Sequence, residues 1–143
     1  MKKKESKRFF LKTQFCIFHA LLLIHLEINA AEVNSWECNK FEGASIVGED
    51  GTYLGKLGPS WLPDSIFNSS SSYGNDWSQN SIFNSSSIYG SNFSNYSAFN
   101  EHAYNPPRII SDKDGVIGYL TTGSEWRNDH YNALDFKYTC DWD

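Results

Sequence analysis

Residues 65–80 read SIFNSSSSYGNDWSQN and residues 81–96 read SIFNSSSIYGSNFSNY, so the two blocks are identical at ten of sixteen positions. A third block begins in register at Ser97 with Ser-Ala-Phe-Asn and then diverges. Agreement at a fixed period indicates an internal duplication. We therefore predict a repeat region over residues 65–104.

The repeats combine polar side chains with aromatic rings at fixed places. Between Ser65 and Tyr96 there are twelve Ser, six Asn and a single charged side chain, Asp76. Polar, serine-rich sequence is often disordered, but disorder does not require Phe and Tyr to return every sixteen residues. We expect an ordered, turn-rich structure in which each Ser-Ile-Phe-Asn forms a short helical turn capped by a polar side chain and Tyr-Gly forms the next turn.

Two similar segments flank the repeats. Residues 46–57 read IVGEDGTYLGKL and residues 110–120 read ISDKDGVIGYL. Asp-Gly between two β-prone runs predicts a hairpin, because Gly tolerates the positive φ that tight turns need. We therefore predict hairpins over residues 45–57 and 108–121.

The N-terminus has the order of an export signal. Six basic residues precede an apolar run at about residues 15–26, and small residues follow at Ala30 and Ala31. The alternative is a membrane anchor, but the run has 12 residues and a span needs about 20. We predict a signal peptide over residues 1–30, no membrane span after cleavage, and one small β-rich, irregular domain over residues 31–143.

Two cysteines, Cys38 and Cys140, remain after the predicted cleavage. An even pair in an exported chain predicts one disulfide. The expected location is secreted or periplasmic.

Removal of the leader makes the chain strongly acidic. Residues 1–30 contain six of the 12 basic and two of the 17 acidic side chains, so the remainder carries a net charge of −9. Nucleic-acid binding depends on Lys and Arg that neutralise phosphates, and the composition therefore argues against a nucleic-acid partner and against adsorption to anionic lipid.

Residues from about 46 to 122 resemble a known group, and Ser97–Thr121 is the most specific part of the resemblance. The S-I-x-N and Y-G units run into S-A-F-N, then Asn105-Pro106-Pro107, an Ile pair, D-G and G-Y-L-T. This order is similar to that of small uncharacterised bacterial exported proteins with tandem SIxNPYGxYGSxYS-type repeats. Serine stands at Ser69 and Ser85, where that pattern has proline. The resemblance implies export and supplies no catalytic residues.

The sequence favours a protein that is not an enzyme and uses no metal or cofactor. The acidic start of a calcium loop at 112–115 lacks the further ligands and the bidentate Glu, and it is better read as a hairpin turn. Glu125, Asp129, His130 and Asp135 are close in sequence, but zinc sites usually draw on several His or Cys residues. The alternative function is a small secreted hydrolase, in which His102 or His130 would join a carboxylate and a Ser in space.

The most economical function is a non-catalytic binding or structural surface. Tyr73, Trp77, Tyr89 and Phe93 are the candidate binding residues, because aromatic rings on polar turns stack on sugars or on other aromatic-rich chains. The partner would be a glycan or an envelope protein. The alternative is that these rings form the core between repeats.

Overall fold

The computed structural model describes residues 33–123 and 129–143, and within these ranges the fold is one small domain with a five-stranded sheet. The predicted β-rich character is confirmed. The predicted leader over residues 1–30 lies outside the described residues. The elements in chain order are α1 (Cys38–Phe41), β1 (Ser45–Val47), β2 (Tyr53–Lys56), β3 (Arg108–Ser111), β4 (Gly115–Leu120), β5 (His130–Tyr131) and α2 (Ala133–Thr139).

Asp-Gly pairs lie in the two tight strand connections. β1 and β2 pair antiparallel on either side of Asp50-Gly51, and β3 and β4 pair antiparallel around Asp114-Gly115. Both glycines have positive φ, 86° at Gly51 and 73° at Gly115, a region that side-chain-bearing residues rarely occupy. The local turn chemistry thus sets both connections.

The two strand pairs are joined into a single mixed sheet. Its order is β2-β1-β3-β4-β5, with β1 antiparallel to β3 and β5 parallel to β4. The β1–β3 pairing brings Val47 opposite Arg108, so residues distant in the chain meet at the centre of the sheet. The repeat region lies in the segment that connects β2 to β3.

Two short helices close the domain, and neither was predicted. The side chain of Asn132 caps α2 by accepting a hydrogen bond from the amide of Leu134 at 3.0 Å. Cys38 in α1 and Cys140 at the end of α2 form the predicted disulfide, with Sγ atoms 2.00 Å apart. No helix in the described residues has the length and apolarity needed to cross a membrane.

Side chains of the sheet, helices and repeats share one core. Ile66 and Ile82 enter it from the repeats, and each is fully buried. Burying such a side chain contributes about 1.5–3 kcal/mol relative to exposure, so the repeats are part of the folding unit. The other fully buried large apolar side chains include Phe41, Ile46, Leu54, Leu57, Ile109, Leu120 and Phe136.

The first repeat covers the free edge of β2. The amide of Lys56 donates to the carbonyl of Asp64 at 2.8 Å, and the amide of Ile66 donates to the carbonyl of Lys56 at 2.9 Å. These bonds form a parallel bridge between Lys56 and Ser65. An unpaired edge strand invites association with another chain, and here the repeat takes that place.

Candidate binding surface

Within the repeats, one hydrogen bond recurs every sixteen residues. The side-chain amide of the asparagine in each Ser-Ile-Phe-Asn, and in the Ser-Ala-Phe-Asn of the third block, donates to a backbone carbonyl six residues earlier. The three bonds are Asn68 to Leu62 at 2.8 Å, Asn84 to Ser78 at 2.9 Å and Asn100 to Ser94 at 3.0 Å. Successive repeats therefore have the same local geometry.

Buried serines order the turns of each repeat. Ser65, Ser81 and Ser97 are fully buried, and their Oγ atoms accept from the backbone amide two residues later at 3.0–3.1 Å. Ser65–Asn68 and Ser81–Asn84 each form a single tight turn, since the carbonyls of Ser65 and Ser81 accept from the amide three residues later. Serine side chains compete with helical hydrogen bonds in this way, and a serine-rich segment becomes ordered as a result.

Glycine is needed where each repeat closes on itself. A Cβ atom at Gly74 would overlap with the backbone of Asn68, and one at Gly90 would overlap with the carbonyls of Ile82 and Asn84. The neighbours are backbone atoms, which cannot swing aside as a side-chain end can. The Tyr-Gly of the repeat therefore reflects close backbone packing.

The phenylalanines of the two Ser-Ile-Phe-Asn units and of Ser-Ala-Phe-Asn form an inner aromatic column. Its ring centroids are 6.2 Å apart between Phe67 and Phe83 and 5.7 Å apart between Phe83 and Phe99. At the other end, Phe67 lies 6.3 Å from Trp142 near the C-terminus. Phe67 is buried, whereas Phe83 and Phe99 are partly buried against the core. These rings hold the repeats together.

Tyr73 and Tyr89, two of the candidate binding residues, face the β1–β2 pair. The ring of Tyr73 packs edge-on against Tyr53 at 5.2 Å. Tyr89 is 4% exposed and its hydroxyl donates to the Asp50 carboxylate at 2.7 Å. That hydrogen bond holds the pKa of Asp50 below its usual value, because it favours the ionised carboxylate. Both tyrosines anchor repeats to the sheet and are not part of the exposed aromatic surface.

Trp77 and Phe93, the other two candidates, point into solvent with 88% and 94% of their surface exposed. A third exposed ring, Trp61 at 75%, stands sixteen residues before Trp77. Trp61 is not among the predicted binding residues because its neighbours, Gly-Pro-Ser-Trp-Leu-Pro-Asp, do not match the repeat. The sixteen-residue spacing between Trp61 and Trp77 is the signal in the sequence that identifies Trp61. We call Trp61, Trp77 and Phe93 the outer aromatic column.

Equivalent tight turns present these three rings. The residue after each ring is Leu62, Ser78 or Ser94, whose carbonyl accepts the recurring asparagine bond. The amide of Leu62 closes its turn onto the carbonyl of Pro59 at 3.0 Å, and that of Ser94 closes its turn onto Ser91 at 3.2 Å. In the middle turn, the amide of Ser78 donates to Oδ1 of Asn75 at 2.7 Å. Each ring therefore projects from a hydrogen-bonded turn.

An open groove adjoins the last ring of the column. It has a volume of about 510 Å³ and is lined by the side chains of Phe93 and Phe99 and by polar residues that include Asn92, His102 and Thr122. At its rim, Nε2 of His102 lies 3.3 Å from the Glu101 carboxylate, and both side chains are exposed. The groove is thus a polar continuation of an aromatic surface.

The other residues considered for chemistry lie elsewhere. His130 is buried in β5, and Glu125 lies outside the described residues. Among the residues that the structure describes, no three His, Cys, Asp or Glu side chains are grouped so that they could hold a metal ion. In the β3–β4 connection, Oγ of Ser111 accepts from the amides of Lys113 and Asp114, so this acidic stretch forms a turn.

Comparisons with known proteins give no relative from which a function could be taken: no family model, curated protein or solved structure matches the chain. The functional argument therefore rests on the outer aromatic column itself.

Proposed function

We propose that this is an exported, non-catalytic binding protein that holds a glycan with its outer aromatic column, at the cell envelope or outside the cell. One observation carries the proposal. Three large rings, Trp61, Trp77 and Phe93, are each at least 75% exposed and recur every sixteen residues on a hydrogen-bonded scaffold. Large apolar side chains exposed in a regular set are typical of interaction sites.

The scaffold prepares these rings for binding. The turns that present them are fixed by backbone and asparagine hydrogen bonds, so a partner has little backbone to order when it binds. Aromatic side chains have few rotatable bonds and lose little conformational freedom. Preorganisation of this kind raises affinity by lowering the cost of association.

The chemistry around the rings favours a glycan over an envelope protein. Between residues 65 and 96 the surface is rich in Ser and Asn and has one charged side chain, Asp76. Sugar rings combine an apolar C–H face, which stacks on an aromatic ring, with hydroxyls that bond to Ser and Asn. A protein partner would more often be matched by interspersed charges that set its orientation.

Two features support export. The basic, apolar and small residues of 1–31 follow the order of a cleavable signal peptide. The Cys38–Cys140 disulfide is typical of an oxidising compartment.

A chain of net charge −9 from residue 31 onward would approach an uncharged glycan more readily than an anionic one.

A glycan array tests the proposal, with residues 31–143 produced with the disulfide intact. We expect binding to one glycan class, and Trp77→Ala should weaken it about fivefold or more, because truncating an anchoring Trp commonly costs over 1 kcal/mol. Trp36→Ala is the matched control, since Trp36 is 76% exposed and lies outside the column. Absence of glycan binding, or equal losses in the two variants, would reject the proposal.

A further inference from the structure

We infer that the ligand is a linear, extended, uncharged polysaccharide that lies along the repeat axis, with sugars of the one chain stacked on Trp61, Trp77 and Phe93. This inference rests on the proposed function and specifies its ligand. The observations behind it are the regular recurrence of the outer rings, their exposure, the charge of the surface and the groove beside Phe93.

The outer rings recur as regularly as the units of a linear chain. Equivalent rings of the inner aromatic column are 6.2 and 5.7 Å apart, so the repeats themselves are stacked at a regular step. The recurring asparagine bond fixes the residue after each outer ring, so each equivalent turn presents one outer ring. A surface that repeats in this way suits a ligand that is itself a chain of repeated units.

The outer rings are available for stacking. Trp77 has a ring of the column on either side in the repeat order, yet 88% of its surface is exposed. Its neighbours therefore leave its ring uncovered. Each ring can take its own sugar, and linked sugars then bind with an effective concentration that raises the affinity of the whole chain.

The charges near the column disfavour an acidic glycan. Asp76 directly precedes Trp77, and Glu101 lines the groove beside Phe93. Like charges brought into contact weaken association. Ser60 and Asn92 precede the other two rings, and both are neutral hydrogen-bonding residues that suit sugar hydroxyls.

The groove extends the site at one end. It is lined by Phe93 itself and by Asn92, His102 and Thr122, and its volume of about 510 Å³ admits further sugar residues. Asn92 and Thr122 offer neutral polar groups to hydroxyls, and His102 adds a ring nitrogen. A chain that covers the three rings would therefore gain further contacts by running into this groove.

Isothermal titration calorimetry with residues 31–143 tests the inference. The probes are cello-, chito- and malto-oligosaccharides from the disaccharide to the hexasaccharide, with oligogalacturonides as the acidic series. In one neutral series, affinity should rise at least tenfold from the disaccharide to the length at which it levels off, beyond the trisaccharide. Trp61→Ala should weaken hexasaccharide binding about tenfold, or roughly 1.4 kcal/mol, and disaccharide binding much less, whereas Trp36→Ala should change neither.

The outcomes separate this inference from the proposed function. Equal affinity for short and long oligosaccharides, or binding confined to acidic or branched glycans, would overturn the inference while Trp77-dependent glycan binding still stood. A Trp61→Ala protein that keeps its melting temperature and binds the hexasaccharide normally would also overturn it. If no glycan binds in either experiment, both proposals fail.

Discussion

Replacing Phe83 with Ala tests whether the repeats are a packed part of the fold. Phe83 lies in the middle of the inner aromatic column, 6.2 Å from Phe67 and 5.7 Å from Phe99, and it packs against the core while partly exposed. Truncating a buried Phe costs about 3–5 kcal/mol. Because Phe83 is partly exposed, we expect about 3 kcal/mol, near the lower limit. At about 4 °C or more per kcal/mol for a domain of this size, the melting temperature should fall by about 12 °C or more.

Phe93→Ala is the matched control for this prediction. It removes the same side chain from the same repeat, but Phe93 is 94% exposed, and surface substitutions usually change stability by less than about 0.5 kcal/mol. Thermal melts of both variants, followed by circular dichroism with the disulfide intact, make the comparison. If Phe83→Ala has the melting temperature of the wild type, or if both variants lower it equally, the repeats are not packed as described.

Three further predictions concern the fold. Gly90→Ala should destabilise by about 1–3 kcal/mol, the usual cost of overpacking, and a melt equal to wild type would contradict the close backbone contact at this site. Replacing Cys38 and Cys140 together with Ser should lower the free energy of unfolding by about 4–5 kcal/mol, since the bridge spans 102 residues; denaturant titration measures this, and an unchanged midpoint would contradict it. The Tyr89–Asp50 hydrogen bond stabilises the ionised carboxylate and lowers the pKa of Asp50. The contribution of this bond to the free energy of unfolding is therefore present above the ordinary carboxyl pKa of about 3.9, and it is lost as the pH falls through the lowered pKa of the folded state. Tyr89→Phe should therefore be less stable than wild type at neutral pH and lose that difference on acidification, and a difference independent of pH would argue against the bond.

Features set by neighbouring residues could be read from the sequence. Gly51 and Gly115 mark the two tight connections, because a positive φ is a local demand that glycine meets. The disulfide followed from counting the cysteines that remain after the leader. The β-rich character followed from short β-prone runs between turn residues.

Features set by distant contacts could not be read. The β1–β3 pairing places Ile46 opposite Ile109 across the repeats. The sequence of neither strand indicates which other strand it pairs with. The helix α1 has four residues and no side-chain cap, so it has no start pattern in the sequence. The helix α2 does have one, the cap at Asn132 followed by buried Ala133 and Phe136, and it was overlooked.

The sequence was sufficient to predict two rings of the outer aromatic column, Trp77 and Phe93, but not the whole site. The repeat identified four aromatic positions, but periodicity does not say which face of a turn a ring occupies. Tyr89 turns inward because Asp50 lies within hydrogen-bonding distance, a contact across 39 residues. Trp61 lies outside the recognisable repeat, and the recurring asparagine bond shows that its turn is equivalent to that of Trp77.

The central claim is that the outer aromatic column contacts the ligand, and an NMR titration of tryptophan indole N–H signals tests it most directly. The protein is ¹⁵N-labelled and titrated with the oligosaccharide that binds best. The account predicts that the signals of Trp61 and Trp77 shift together with the bound fraction, while those of exposed Trp36 and buried Trp142 stay in place. A shift at Trp36 with none at Trp61 and Trp77 would place the ligand elsewhere and contradict the account.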